Sequence, residues 1–358
     1  MIRGGGAAAA YDAGMSSASP IETPYAGLTP EVVLDALDSV GLRGDGRLIQ
    51  LNSYENRVFQ VFLEDKRVVV AKFYRPGRWS DEQILEEHAF ANELAEAEIP
   101  IVNPWSLTSE QSGITSTLCR FTGGADPHRF AITERRSGRA PELEDEATME
   151  WIGRFVGRMH LVGAKSAFAH RLTLDIATYG QGPLDWLLAG DIIPPDAKPG
   201  WERAARDALA EIAACFEAVG SMRTIRLHGD CHAGNVLWTD AGPHFVDLDD
   251  ALSGPAVQDL WMLLSGERSV ATRQLHALLS GYEDFMEFDW RELRLIEAFR
   301  TLRMIHYSAW LARRWNDPAF PIAFPWFGAP VYWTDQAVRL REQIATLREP
   351  PAFGGPAY

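Results

Sequence analysis

The segment Leu227-His228-Gly229-Asp230-Cys231-His232-Ala233-Gly234-Asn235-Val236-Leu237 is closely followed by Phe245-Val246-Asp247-Leu248-Asp249-Asp250. Acidic and amide side chains thus stand on turn-forming stretches beside short apolar runs. An Asp, an Asn five positions later and a second Asp closing the next apolar run make a set with a definite chemical use. Moving a γ-phosphoryl group needs one carboxylate to orient the acceptor hydroxyl and take its proton. It also needs oxygen ligands that hold magnesium on the phosphates. Taken singly, Asp230 and Asn235 are turn formers, as those residue types commonly are. Taken together with Asp247 and His228 they favour the catalytic reading. Cys231, His228 and His232 lack the spacing of a zinc site.

The elements around this set can be read from periodicity and punctuation. Residues 1–24 are rich in Gly, Ala and Ser and are expected to be disordered, since little there offsets the entropy of ordering. Thr29-Pro30 before EVVLDALDSVGL reads as a capped amphipathic helix, with Pro30 at its first position and Gly41 near its stop. VFQVFLE and RVVVAKFY are β-branched and aromatic runs split by a short charged stretch, the pattern of an antiparallel hairpin. SDEQILEEHAFANELAEAE starts at Ser80 or Asp81, carries Ile84, Leu85, Phe90 and Leu94 at helical spacing, and is ended by Pro100. Strands including ITSTLCRF lead to Gly123-Gly124, the expected hinge between two lobes.

From Glu144 the character changes. EATMEWIGRFVGRMHLVGA is helical with Trp151, Ile152, Phe155, Val156 and Met159 on one side, and WERAARDALAEIAACFEAV is a second helix. RTIRLHGD reads as a strand entering a turn, with NVLW and PHFVDLDDA as two more strands. Beyond Pro255 the chain is mainly helical through Trp315, then aromatic and proline-rich. The expected fold class is α+β: a small β-rich lobe over residues 25–122 and a larger helical lobe over 123–358 with an inserted hairpin. No internal repeat is visible.

Bulk properties narrow the partners. The net charge of −15 argues against broad binding to nucleic acid or an anionic membrane, both of which need a cationic surface. No apolar stretch reaches the ~20 residues of a membrane span, and the first residues make a poor signal peptide. Three cysteines without paired spacing suit a reducing compartment. A cytoplasmic monomer is expected.

LNSYENRVFQ, KFYRPGRWS, ILEEHAF, LHGDCHAGNVLW, FVDLDDALSGPAVQDLWMLL and DPAFPIAFPWF together resemble the bacterial stress response kinase A family. That family lies within the aminoglycoside phosphotransferase and choline kinase superfamily, and the likeness runs from about Leu28 to the C-terminus. The resemblance implies a bilobal protein-kinase-like fold, ATP and Mg2+ as cofactors, and phosphoryl transfer to Ser/Thr hydroxyls of proteins in a stress response. Carried over by position, Asp230 is the catalytic base, while Asn235 and Asp247 are the magnesium ligands. Lys72, near the end of VVVAKFY, grips the α/β-phosphates; an isolated strand lysine would instead be a solvated edge charge. Its partner carboxylate is expected on the following helix at Glu87, with Glu86 as the rival.

LNSYENRVF takes the place of a glycine-rich loop yet has no glycine. Ser53 there offers a hydroxyl and an N–H to the phosphates, or else caps the hairpin as an ST-turn. Asp259 is expected to accept backbone N–H groups of the catalytic loop, and a helix-terminus acid is the plainer alternative. In EAFRTLRMIHYSAWLARRW, Arg300 or Arg303 could face the substrate, though a solvated helix face accounts for them as well. The acceptor stays open between a protein and a small hydroxyl compound of the aminoglycoside, choline or homoserine type. Only about a dozen residues separate Asp247 from Asp259, with Ser253 the sole hydroxyl. That leaves no room for a long activation segment and leans toward a small acceptor, while the family likeness tips the balance to a protein.

Overall fold

A helix of Pro30–Asp38 (α1) opens as its residues dictate: Thr29 Oγ1 accepts the Val32 N–H at 3.4 Å, and Pro30 takes the first turn, where no amide partner is needed. The computed structural model describes residues 24–124 and 126–349. The disorder expected of residues 1–24 falls, apart from Pro24, outside them. The described chain forms two compact units, taken in turn below. One comprises residues up to Arg139 together with Leu237–Asp249; the other comprises Ala140–Val236 and the residues from Asp250 onward.

In the first unit, strands Gly44–Leu51 (β1), Arg57–Leu63 (β2) and Val68–Phe73 (β3) follow α1. The β2–β3 pair is the antiparallel hairpin expected from its two β-branched and aromatic runs split by a short charged stretch, closed by Lys66 in the left-handed region at φ 70°. Helix Asp81–Glu96 (α2) begins at Ser80 in a reciprocal capping box with Gln83. It stops at Ala97, with Glu98 at φ 57°, so the chain has left the helix before Pro100 is reached. Short strands Leu107–Thr108 (β4) and Thr115–Ser116 (β5) precede Cys119–Phe121 (β6) and His128–Glu134 (β7). The sheet runs β1-β2-β3-β7-β6. Its core side gathers Leu37, Val61, Val69, Phe73, Phe130 and Ile132. The Gly123-Gly124 turn therefore joins two strands of one sheet, and the division lies later, at Arg139. The inserted hairpin, Val236–Thr239 (β9) with Gly242–Phe245 (β10), is counted from Leu237 with this unit rather than with the helices.

The second unit is built on helices Glu146–Gly163 (α3), Gly182–Ala189 (α4) and Lys198–Val219 (α5), then strand Ile225–Leu227 (β8). Strand Leu252–Gly254 (β11) pairs antiparallel with β8. Helices Val257–Trp261 (α6), Arg268–Tyr282 (α7), Ile296–Arg313 (α8), Ala319–Ala323 (α9) and Tyr332–Arg348 (α10) complete it. α3 packs along α7, and α5 along α10. On α3 the structure buries Met149, Ile152, Val156 and Met159, whereas Trp151, expected on that side, is 36% exposed. The helix α10 occupies what reads in the sequence only as an aromatic, proline-rich ending. No helix of the described residues is long and apolar enough to cross a membrane.

Candidate active site

Lys72 sits on β3, a central strand flanked by β2 and β7. Alternation sends Val69, Ala71 and Phe73 into the core, so Lys72 emerges on the opposite face. Its Nζ lies 2.8 Å from Asp247 Oδ1 and 3.1 Å from Asp249 Oδ1. Burial alone would push the ammonium down, but Asp247 and Asp249 outweigh it and hold the group well above the ordinary lysine range. The lysine is therefore a permanent cation.

What places the two carboxylates is the end of β10. Phe245 bridges Ile101, donating its N–H to Pro100 O at 2.7 Å and accepting from Val102 N at 3.1 Å. The chain then turns through Asp247, which adopts φ 62° although it is not glycine. Such strain of ~1–3 kcal/mol persists where the surroundings over-determine it, often at functional residues. The side chain of Asp247 stays 55% exposed, whereas Asp249 is buried. Asp249 accepts from Asn56 Nδ2 at 3.1 Å and pairs with the Arg78 guanidinium.

Asn56 in turn accepts the Arg75 N–H at 3.1 Å, while Arg75 Nε donates to Glu55 O at 2.9 Å and its Nη2 to Tyr54 O at 3.2 Å. Arginine donors thus fix the glycine-free loop between β1 and β2, the loop that carries Ser53. Glu87 is buried on α2 with Oε2 3.8 Å from His88 Nε2. It adds to the upward pull on Lys72, after Asp247, Asp249 and Tyr74. The structure thus joins Lys72 directly to Asp247 and to Asp249, an acid that sequence reasoning did not single out.

In the other unit, β8 delivers the His228-Gly229 turn. Gly229 has φ 85°, and a Cβ there would meet Asp250 O at 2.1 Å, so only glycine fits. Asp259, fully buried on α6, accepts the N–H groups of His228 and Gly229, each at 2.8 Å. This is the bonding implied by the family resemblance. Sequence reasoning missed what holds Asp259 itself: His160 Nε2 on α3 at 3.0 Å, with Tyr282 Oη on α7 3.0 Å from His160 Nδ1. Their signal was faint, one His and one Tyr inside apolar helical patterns. Gln258 adds a bond from Nε2 to Gly229 O at 2.9 Å.

The pinned turn presents Asp230. Its carboxylate meets Arg303 Nη1 of α8 at 3.1 Å and His232 Nε2 at 3.4 Å. Burial would push it up, but His232 and then Arg303 reverse this and hold it well below the usual carboxylate range. Of the two arginines weighed from sequence, Arg303 is the one at Asp230, while Arg300 lies over the Trp261 ring at 5.6 Å and pairs with Glu297 at 2.9 Å. Asn235 donates Nδ2 to Asp230 O at 2.9 Å. Its amide oxygen is thereby the atom left for a cation. That oxygen and the exposed Asp247 carboxylate are each hard donors of the kind magnesium prefers. Cys231 is buried, and burial pushes its thiol well up, so it is no thiolate ligand.

Fold and site chemistry together define a phosphotransferase with a kinase-like fold. The chain belongs to the APH phosphotransferase enzyme family, whose model matches residues 47–296. It is 44% identical over 331 residues to stress response kinase A of Escherichia coli K12, covering 92% of this chain and 97% of that protein. It is 43% identical over the same span to the serine/threonine protein kinase RdoA of Salmonella typhimurium LT2. Among solved structures it resembles the amicoumacin kinase hAmiN in complex with AMP-PNP, Ca2+ and Ami. That match has a TM-score of 0.67 at 19% identity and covers 90% of this chain and 94% of that one.

Proposed function

We propose that the chain transfers the γ-phosphoryl group of ATP to Ser/Thr hydroxyls of proteins, with Asp230 as the acceptor-side base. The observation that carries this is the Asp230 carboxylate itself, faced by Arg303 and His232 and offered on a loop whose two preceding N–H groups are tied to Asp259. The transfer has a loose transition state, so positioning and charge do most of the work. Asp230 orients the acceptor hydroxyl and receives its proton as the new P–O bond forms. A carboxylate held so firmly ionised is a weak base, and it takes the proton only once the hydroxyl has become acidic. Lys72, fixed as a cation, steadies the α/β-phosphates, with Ser53 offering its hydroxyl and N–H and with Glu87 backing the lysine from α2. Asn235 and Asp247 are the residues that would hold magnesium. The bound ion supplies charge neutralisation on the phosphates. The relatives named as stress response and Ser/Thr kinases support the protein acceptor and a role in stress.

A small hydroxyl compound is the second reading, favoured by one observation. The residues after Asp247 are taken up at once by a short 3-10 turn at Leu248–Asp250 and by β11, leaving no long segment on which a peptide could dock.

Two substitutions test the division of roles. Asp230→Asn keeps the shape and removes the proton-accepting charge, so it should bind Mg-ATP nearly as well and lose about 10²–10⁴-fold in turnover. Asp247→Asn should lose magnesium-dependent nucleotide affinity as well as turnover. Nucleotide titration with and without magnesium, beside single-turnover transfer, measures both; equal loss of affinity in the two variants would show the roles to be wrong. Labelled ATP offered to generic proteins and to a panel of small hydroxyl compounds decides the acceptor.

A further inference from the structure

Each oxygen of the Asp230 carboxylate faces its own donor, and both donors are incompletely buried. Arg303 Nη1 meets Oδ1 at 3.1 Å and His232 Nε2 faces Oδ2 at 3.4 Å, with side-chain exposures of 45% and 39%. Half-exposed pairs of this kind add little to stability, so stability alone gives no reason for them. The His232 ring is itself fixed. Gly234 N donates to its Nδ1 at 2.9 Å, which makes Nδ1 the acceptor and puts the ring proton on Nε2, the atom that faces Asp230. A Cβ on Gly234 would lie 2.7 Å from the ring's Cε1, so the glycine leaves the imidazole its room. Arg303 reaches the same carboxylate from α8, far along the chain.

We propose that Arg303 and His232 are positioning residues that clamp the Asp230 carboxylate, fixing the plane in which its remaining lone pairs meet the acceptor hydroxyl. An ionised carboxylate has about four lone-pair sites, so two donors orient it and still leave capacity for the substrate proton. Neither residue touches the transferred group; both act through Asp230. The inference rests on Asp230 as the acceptor-side base.

A double-mutant cycle separates this from a structural role. With Mg-ATP and dephosphorylated casein, transfer is read as labelled casein and, with water as the acceptor hydroxyl, as released phosphate. Arg303→Met should lose up to about 10²-fold in kcat, the scale of a misplaced group. Its melting temperature and KM for ATP should stay near the parent's, and Arg303→Lys should recover part of the loss. His232→Leu should behave like Arg303→Met. In the Asp230→Asn background neither substitution should change residual turnover by more than about twofold, because the group they act through is gone. An undiminished Arg303→Met effect in that background overturns the clamp while leaving the base assignment standing. Parent-like turnover of Asp230→Asn alone overturns the base assignment, and the clamp with it. A crystal structure of the Arg303→Met/His232→Leu variant gives a readout free of activity. The Asp230 carboxylate should rotate or adopt two orientations, and an unmoved carboxylate overturns the proposal.

Discussion

Asp249 is 3% exposed and gathers Lys72, Arg78 and Asn56 around one carboxylate. Removing one partner of a buried ion cluster strands the others, at a typical cost of about 3–5 kcal/mol. Asp249→Ala should therefore lower stability on that scale in thermal or urea unfolding, with Asp249→Asn in between because it keeps an acceptor. A melting temperature unchanged in both would show that the cluster relaxes freely. The sequence made Asp230, Asn235 and Asp247 visible, since their spacing around a turn and two short strands is itself a pattern. It did not distinguish Asp249, because VDLDD holds three acids in four positions and alternation alone does not say which is drawn inward. The left-handed turn at Asp247 decides that, leaving Asp247 outside and Asp249 within. The partners that hold the His228-Gly229 turn were hidden for a similar reason. His160 and Tyr282 lie on helices remote in sequence, and only the packing of α3 along α7 brings them to Asp259.

The short helix α6 is steadied at its start by Glu292, whose Oε2 accepts the Val257 N–H at 2.9 Å. Burial pushes the Glu292 carboxyl up to about 7, and Asp289 adds to this while the Val257 N–H and Arg291 oppose it. The folded state then binds the proton more tightly than the unfolded chain does. This contribution to stability is fully present below the ordinary glutamate range and is lost as pH rises through about 7. A difference of that size corresponds to roughly 3 kcal/mol. Melting curves from pH 5 to 8 should fall for the parent, while Glu292→Gln, neutral throughout, should fall less and be the more stable at pH 8. Parallel curves would place the pH dependence elsewhere. Element starts were largely legible, because Thr29 and Ser80 cap by local bonds that a few residues specify. The helix α10 was not. Its buried Trp333, Ala337, Leu340 and Ile344 recur at helical spacing, but the prolines and aromatics before them read as an irregular ending.

On the scale of the whole chain, the acidic balance of −15 and the α+β order fit a small sheet unit and a larger helical unit. The boundary was harder to see. Gly123-Gly124 looked like a hinge, yet β7 follows it and pairs with β3 deep in the same sheet. The chain passes from one unit to the other at Arg139, returns at Leu237 and leaves again at Asp249. A fragment of residues 24–139 therefore keeps Lys72 and lacks the two carboxylates paired with it, Asp247 and Asp249. It should melt lower, by calorimetry, than the same fragment joined through a flexible linker to residues 237–249; equal melting would mean that the sheet tolerates the bare lysine. The arrangement also bears on inheritance. No single break in the gene separates Lys72 from the helical unit without also separating it from its counterions. A break between Arg139 and Leu237 divides the sheet unit itself, leaving Lys72 on one piece and both Asp247 and Asp249 on the other.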